Sequence, residues 1–300
     1  MELRLGINTC FAVKRWPLVD DWAPLVRDRL GLRLVQHSLD LVLPGVDDGT
    51  STGAAIRAHG LELDSTFTGL AAYSANLLLD PRGAARESAA TWFAWAVNWT
   101  ADAGGRATGG HIAAFSVPEW RDPALRAARW DGLQGELASL ASRARNRGLD
   151  CLVVENLAAA REPSTMAMVR ELATDGDSDH VPIRLCLDTG HMCVPGTSGD
   201  DRDPYAWMRA MAPLTAMLQI QQSDAAGDHH WPFTEVYNAV GRVDADRVID
   251  ALGDGGVDRL DLFLEVIPPF EQDDDQLLDD LDASIDYWRA ALTRRGVLAD

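Results

Sequence analysis

The 300-residue chain predicts a single-domain (β/α)8 TIM barrel, and three observations carry that expectation. Strand-like runs and helical stretches alternate eight times, with no linker or low-complexity segment between them, so residues 1–300 form one domain. Runs such as CLVVE (151–155) and LFLE (262–265) are apolar almost throughout, as parallel strands covered on both faces should be. Gly31, Gly60, Gly148 and Gly256 each end a helical stretch just ahead of the next strand, where a left-handed cap is needed. A doubly wound open sheet is the alternative, but no Gly-x-Gly-x-x-Gly follows the first strand.

The elements follow in order. RLGINT (4–9) alternates as a strand, and 17–30 has helical spacing opened by Pro17. LRLVQHS (32–38) and LELDSTF (61–67) are strands separated by a helix near 51–59. The long helix expected over 81–102 carries Trp92, Trp95 and Trp99, spaced by three and four along one packing face. RATGGHI (106–112) is the fourth strand, followed by a helix over 122–147. LDCLVVE (149–155), IRLCLD (183–188), TAMLQIQ (215–221) and LDLFLEV (260–266) complete the strands, with helices near 164–174, 203–212, 244–253 and 273–295. The acidic run EQDDDQLLDDLD suits the start of the last helix, where carboxylates meet the positive end of the dipole.

Composition narrows the function. No apolar stretch is long enough to cross a membrane, and the N-terminus moves straight into strand alternation without a leader pattern. Cys10, Cys151, Cys186 and Cys193 lie in or beside apolar segments and form no close pairs, which predicts reduced buried thiols and a cytoplasmic location. A formal charge of −19 repels phosphate backbones and speaks against nucleic acid as a partner. Lys14 is the one lysine among 27 basic residues.

Barrel enzymes place their chemistry at the carboxyl ends of the strands. There the fifth strand ends at Glu155, the sixth at Asp188, the seventh at Gln221 and the eighth at Glu265. Strand ends lie about 5 Å apart, so three carboxylates and an amide oxygen converge, and oxygen donors of this kind select a hard or intermediate divalent ion such as Mn²⁺, Mg²⁺ or Co²⁺. An aspartic protease reading of the Asp188-Thr189-Gly190 triplet fails, because that chemistry needs two such loops in all-β lobes.

VVEN, LDTGH and FLEV, on the fifth, sixth and eighth strands, resemble the xylose isomerase-like TIM barrels. That group includes tagatose and psicose 3-epimerases, hydroxypyruvate isomerases, inosose dehydratases and endonuclease IV. The resemblance implies that Glu155, Asp188 and Glu265 bind one divalent metal ion, that both glutamates also move protons, and that His191 touches substrate oxygens. Most members carry His where this chain has Gln221; the hydroxypyruvate isomerases are similar in using Gln there as a ligand. Their following Gly-Arg-His is here Gly227-Asp228-His229, so His229 is the matching substrate group while Asp228 replaces the arginine, and His230 is read as structural.

Two further groups are expected at the mouth. His111 follows two glycines that would let the backbone pass close to a ligand. The first loop, CFAVKRW, offers Lys14 and Arg15 between Phe11 and Trp16, a cation pair suited to a carboxylate or phosphate. The reading is therefore a metal-dependent isomerase or epimerase of a small ketose, sugar phosphate or oxo sugar acid, acting through an enediolate, with a possible homo-oligomer as its assembly. Decarboxylation of a 3-oxo sugar acid through the same enolate is the alternative. An endonuclease IV-like phosphodiesterase is opposed by the charge and by Gln221, and a non-catalytic sugar-binding barrel by the number of converging ligands.

Overall fold

The computed structural model describes residues 1–299 and is a closed barrel of eight parallel strands in chain order. The strands are β1 (Glu2–Asn8), β2 (Leu34–Ser38), β3 (Glu62–Phe67), β4 (Ala107–Gly110), β5 (Cys151–Glu155), β6 (Ile183–Asp188), β7 (Thr215–Ile220) and β8 (Arg259–Leu264). The helices are α1 (Val19–Pro24), α2 (Gly49–Ala58), α3 (Gly83–Ala103), α4 (Val117–Arg121), α5 (Pro123–Arg147), α6 (Met166–Leu172), α7 (Pro204–Met211), α8 (Glu235–Asn238), α9 (Ala245–Asp254) and α10 (Asp274–Arg294).

Each expected strand is present, and the expected helices depart in three places. The first is cut short: Pro24 has no N–H to give, and the chain continues as a wide π turn over Leu25–Arg29, closed by Leu30 N–H to the Leu25 carbonyl. The short helices α4 and α8 are additions, the first separated from α5 by the Asp122-Pro123 cap. Gly31, Gly60, Gly148 and Gly256 all take positive φ between 64° and 80°, which is the cap role read from their positions.

Three layers fill the barrel. At the amino end, Arg4 and Arg106 pair with Asp64 and Asp261 and plug the floor with charge. Above them Leu34, Phe67, Val153, Cys186, Met217 and Phe263 form a buried apolar plug. A polar layer of Asn8, Gln36 and Gln219 then carries the carboxylates of the mouth. A larger apolar shell lies between the strands and the helices; Trp99 belongs to it, with Trp92 and Trp95 packed against it. The four cysteines are free and buried.

Gly109 and Gly110 serve packing rather than ligand approach. A Cβ at Gly109 would lie 1.9 Å from the Val153 carbonyl oxygen, and one at Gly110 would lie 2.5 Å from the Phe67 ring. The close neighbours are strands, so the expectation of a ligand-facing backbone there is corrected.

Candidate active site

Glu155 ends β5 and Asp188 ends β6, while Gln221 and Glu265 each sit one residue beyond β7 and β8. All four are at most 2 % exposed. Because each follows an apolar run whose alternate side chains are fixed inside the barrel, the next inward position projects into the mouth.

The site is held by hydrogen bonds on its outer side and left open on its inner one. The Tyr73 hydroxyl lies 2.9 Å from both oxygens of Glu155. Glu265 Oε1 accepts from Asn8 Nδ2 and Gln219 Nε2, each at 3.0 Å. Asp188 Oδ1 accepts from the Gly190 amide at 2.6 Å and from Gln221 Nε2 at 3.0 Å. His191 is oriented by its Nδ1, 2.6 Å from the Asn156 carbonyl oxygen, and Asn156 also receives the Asp188 amide. That leaves Asp188 Oδ2, Glu265 Oε2, His191 Nε2 and His230 Nδ1 buried without a hydrogen-bond partner. Orphaned buried acceptors are costly and rare. Their convergence, together with three overlapping sets of donors each within 4.8 Å (Glu155–Asp188–His191, Asp188–His230–Glu265 and His191–Asp228–His230), fits a divalent cation.

The electrostatics agree. Burial, with the negative charge of Asp188 added, pushes the Glu155 and Glu265 carboxyls well above the usual range. Burial acts to lower the His191 pKa, but Asp188 and Asp228 override it and hold the imidazole well above its ordinary value. Burial likewise acts to raise Asp228, yet the flanking His191 and His230 hold it well below the usual carboxylate range. The glutamate shifts are those of buried carboxyls beside like charge, and the His191 and Asp228 shifts those of opposite charges in contact.

The other expected site residues divide. His111 is fully buried, packs edge-on against Tyr73 at 4.8 Å, has both ring nitrogens unpartnered, and is pushed down to about 4 by desolvation and by His191. His229 does not face the carboxylates: it stacks on Trp231 at 3.9 Å and contacts Asp224 at 3.0 Å, on the wall of a neighbouring cavity of about 580 Å³. Its neighbour His230, read from sequence as structural, is the second imidazole of the cluster, beside His191. Arg15 is committed to the fold, donating to the Gln272 and Pro269 carbonyls and pairing with Asp274. Lys14 is exposed at φ 65°, its Nζ 4.0 Å over the Phe270 ring. Gln221 reaches the cluster through Nε2, while its Oε1 accepts the His230 backbone N–H at 2.6 Å; an oxygen ligand at this position would require the opposite orientation.

Sequence reasoning did not find Tyr73, Asn8 or the pairing of Asp228 with His230. Asn8 ends β1 as Glu155 and Asp188 end β5 and β6, so the strand-end rule could have found it. Tyr73 and His230 lie in loops, where no period reports direction.

Residues 28–291 match the profile of the family described as Xylose isomerase-like TIM barrel. The chain is 27% identical over 299 residues to the D-erythrulose 1-phosphate 3-epimerase of Brucella abortus, covering 96% of each chain. A solved candidate xylose isomerase from Rhodospirillum rubrum superposes with a TM-score of 0.88 at 34% identity, over 96% of this chain and 99% of that one. The D-psicose 3-epimerase of Clostridium cellulolyticum, at 16% identity and a TM-score of 0.72, covers 96% and 99% and shares the fold. With its closed barrel, its strand-end carboxylates and a match across most of its length, this chain belongs to the xylose isomerase-like TIM-barrel family.

Proposed function

We propose that the protein is a divalent-cation-dependent epimerase or isomerase of a small ketose or ketose phosphate. The observation that carries this reading is the pair of buried glutamates, Glu155 and Glu265, three strands apart around the ring with Asp188 between them. The Brucella relative, whose name gives a phosphorylated ketose as substrate and C3 as the centre inverted, supports epimerisation of that class.

Glu155, Asp188 and Glu265 would hold the cation. Bound there, a divalent ion supplies Lewis acidity that polarises the substrate carbonyl and an adjacent hydroxyl and acidifies the C–H between them. The protein's residues do the rest. Tyr73 fixes Glu155, and the amides of Asn8 and Gln219 fix Glu265 so that Oε2 is the atom turned inward. A proton taken by one glutamate from one face and returned by the other to the opposite face inverts the carbon. His191 and His111 would bind substrate oxygens, and Lys14, with its Nζ over the Phe270 ring, would meet an anionic end group.

The decarboxylation alternative is less favoured, because of the two cations that would hold the acid, Arg15 is engaged by the Gln272 and Pro269 carbonyls. The test is exchange in D₂O. With Mn²⁺ present and a panel of ketoses and ketose 1-phosphates, NMR should show deuterium entering at C3 together with the epimer. Release of CO₂ from a 3-oxo sugar acid without such exchange would replace this reading with the lyase.

A further inference from the structure

We propose that the nitrogen ligand of the cation site is His230 Nδ1, supplied by the loop after β7, and that Gln221 braces this imidazole instead of ligating through its own oxygen. The inference rests on the cation reading above and deepens it.

The hydrogen-bond accounting around Gln221 leads there. Its Oε1 accepts the His230 backbone N–H at 2.6 Å. Its Nε2 has two hydrogens, and they go to Asp188 Oδ1 at 3.0 Å and Asp228 Oδ1 at 2.8 Å. Turning the amide over to offer oxygen to a cation would set its NH₂ against a backbone N–H and take both donors from two carboxylates. The amide is also confined: a Cβ on Gly190 would lie 2.4 Å from its Cδ, so only glycine lets it occupy this position. Gln221 is thus fully used in its present orientation.

His230 has the complementary pattern. Its Nε2 faces Asp228 Oδ2 at 3.2 Å; it also lies 3.3 Å from Gln221 Nε2, whose hydrogens are already committed. Nε2–H therefore donates to Asp228 Oδ2, and in that tautomer Nδ1 keeps its lone pair. Nδ1 is buried and without a partner, 3.7 Å from Glu265 Oε2, which is equally orphaned. One donor atom from each of His230, Glu265 and Asp188 lies within 4.8 Å of the other two. A carboxylate behind one ring nitrogen with a cation before the other is the arrangement by which proteins fix a ligating imidazole.

The loop is built to present this ring. Gln222 and Trp231 exchange both backbone hydrogen bonds, at 2.9 and 3.0 Å, folding the loop back onto the end of β7. His230 stands at φ 49°, an uncommon conformation for a non-glycine residue, held by the Gln221 oxygen on its N–H. His191 packs edge-on against the ring at 5.7 Å.

The experiment is Mn²⁺ binding to metal-stripped protein, by calorimetry and by pulsed EPR, which detects a directly coordinated imidazole through its ¹⁴N coupling. Wild type should bind one Mn²⁺ per chain with that coupling, and uniform ¹⁵N-histidine labelling should replace the ¹⁴N signal. His230→Asn should lose the coupling and weaken binding at least about tenfold. Asp228→Asn and Gln221→Ala should weaken it by roughly ten- to a hundredfold, as loss of an outer partner does, while the coupling stays. His191→Asn should keep the coupling. Should His230→Asn not fold, the labelling of wild type still distinguishes an imidazole from an all-oxygen ligand set. An intact coupling and affinity in His230→Asn would overturn the assignment alone, as would a wild-type spectrum without nitrogen coupling. So would two Mn²⁺ per chain falling to one in His230→Asn, since His230 would then serve a separate ion with His191 and Asp228. Wild type that binds no Mn²⁺ would overturn the cation reading and this inference with it.

Discussion

Replacing Glu265 by Gln tests the two-base scheme through one atom. In the wild type, Oε1 accepts two amide hydrogens at 3.0 Å and Oε2 faces the cluster unpartnered. The glutamine amide can orient two ways. Oxygen toward Asn8 and Gln219 keeps both hydrogen bonds; nitrogen toward them loses both and sets NH₂ against two donors. At about 1 to 1.5 kcal/mol per bond the preference is roughly 2 to 3 kcal/mol, so well over nine-tenths of molecules place NH₂ where Oε2 was. That group can neither take a proton nor ligate. Turnover should therefore fall by about two to four orders of magnitude, the usual contribution of a positioned acid–base group. Mn²⁺ affinity should fall at least about tenfold as well, because an anionic donor is gone. Deuterium exchange at C3 reports the first effect and calorimetry the second. Activity within a few-fold of wild type with unchanged Mn²⁺ affinity would refute both the inward role of Oε2 and the orientation argument.

Four further outcomes are expected. Exhaustive chelation should abolish exchange, and Mn²⁺, Mg²⁺ or Co²⁺ should restore it; at a hundred times Kd the ion should also add about 2.7 kcal/mol of stability, visible as a rise of several degrees in Tm, and metal-free protein with full activity would contradict the site. Arg15→Met should lower stability by about 1 to 2 kcal/mol through the lost ties to the Gln272 and Pro269 carbonyls, with KM unchanged; a large KM effect on a melt-neutral variant would restore Arg15 to the substrate. Lys14→Met should raise KM for a ketose phosphate at least about tenfold, roughly 1.4 kcal/mol, and leave the unphosphorylated sugar untouched; equal effects on both would separate Lys14 from the anionic end. His37, buried between Trp22 and Trp99, is pushed from 6.5 down to about 4 by desolvation. The unfolded chain then binds the extra proton between those values, so this contribution to stability is full above about pH 6.5 and is lost as pH falls toward 4. Between pH 7.5 and 4.5 that is roughly 2 to 3 kcal/mol, and His37→Phe should flatten the acid limb of denaturant melts by that amount; an unaltered limb would show that His37 does not titrate there.

The eightfold alternation, the glycine caps and the carboxylates at strand ends were legible because they rest on local rules. A parallel strand must be apolar on both faces, a helix before a strand needs a left-handed stop, and an inward position after an apolar run must enter the mouth. Glu155, Asp188 and Glu265 obey all of this, and their location followed from a one-dimensional pattern. What tertiary structure decided is direction within loops and the use of each polar atom. His229 and His230 are adjacent in a loop without periodicity, and only the backbone pairing of Gln222 with Trp231 turns the second inward and the first onto Trp231. Lys14 and Arg15 look alike in sequence, yet the β8 loop, some 250 residues away, engages the guanidinium and leaves the ammonium over Phe270. Gln221 was placed correctly by its strand, but which end of its amide meets the carboxylates depends on an acceptor from β6 and on an acceptor and a donor from its own following loop. Hydrogen-bond satisfaction is a property of the whole neighbourhood, and a single strand cannot encode it.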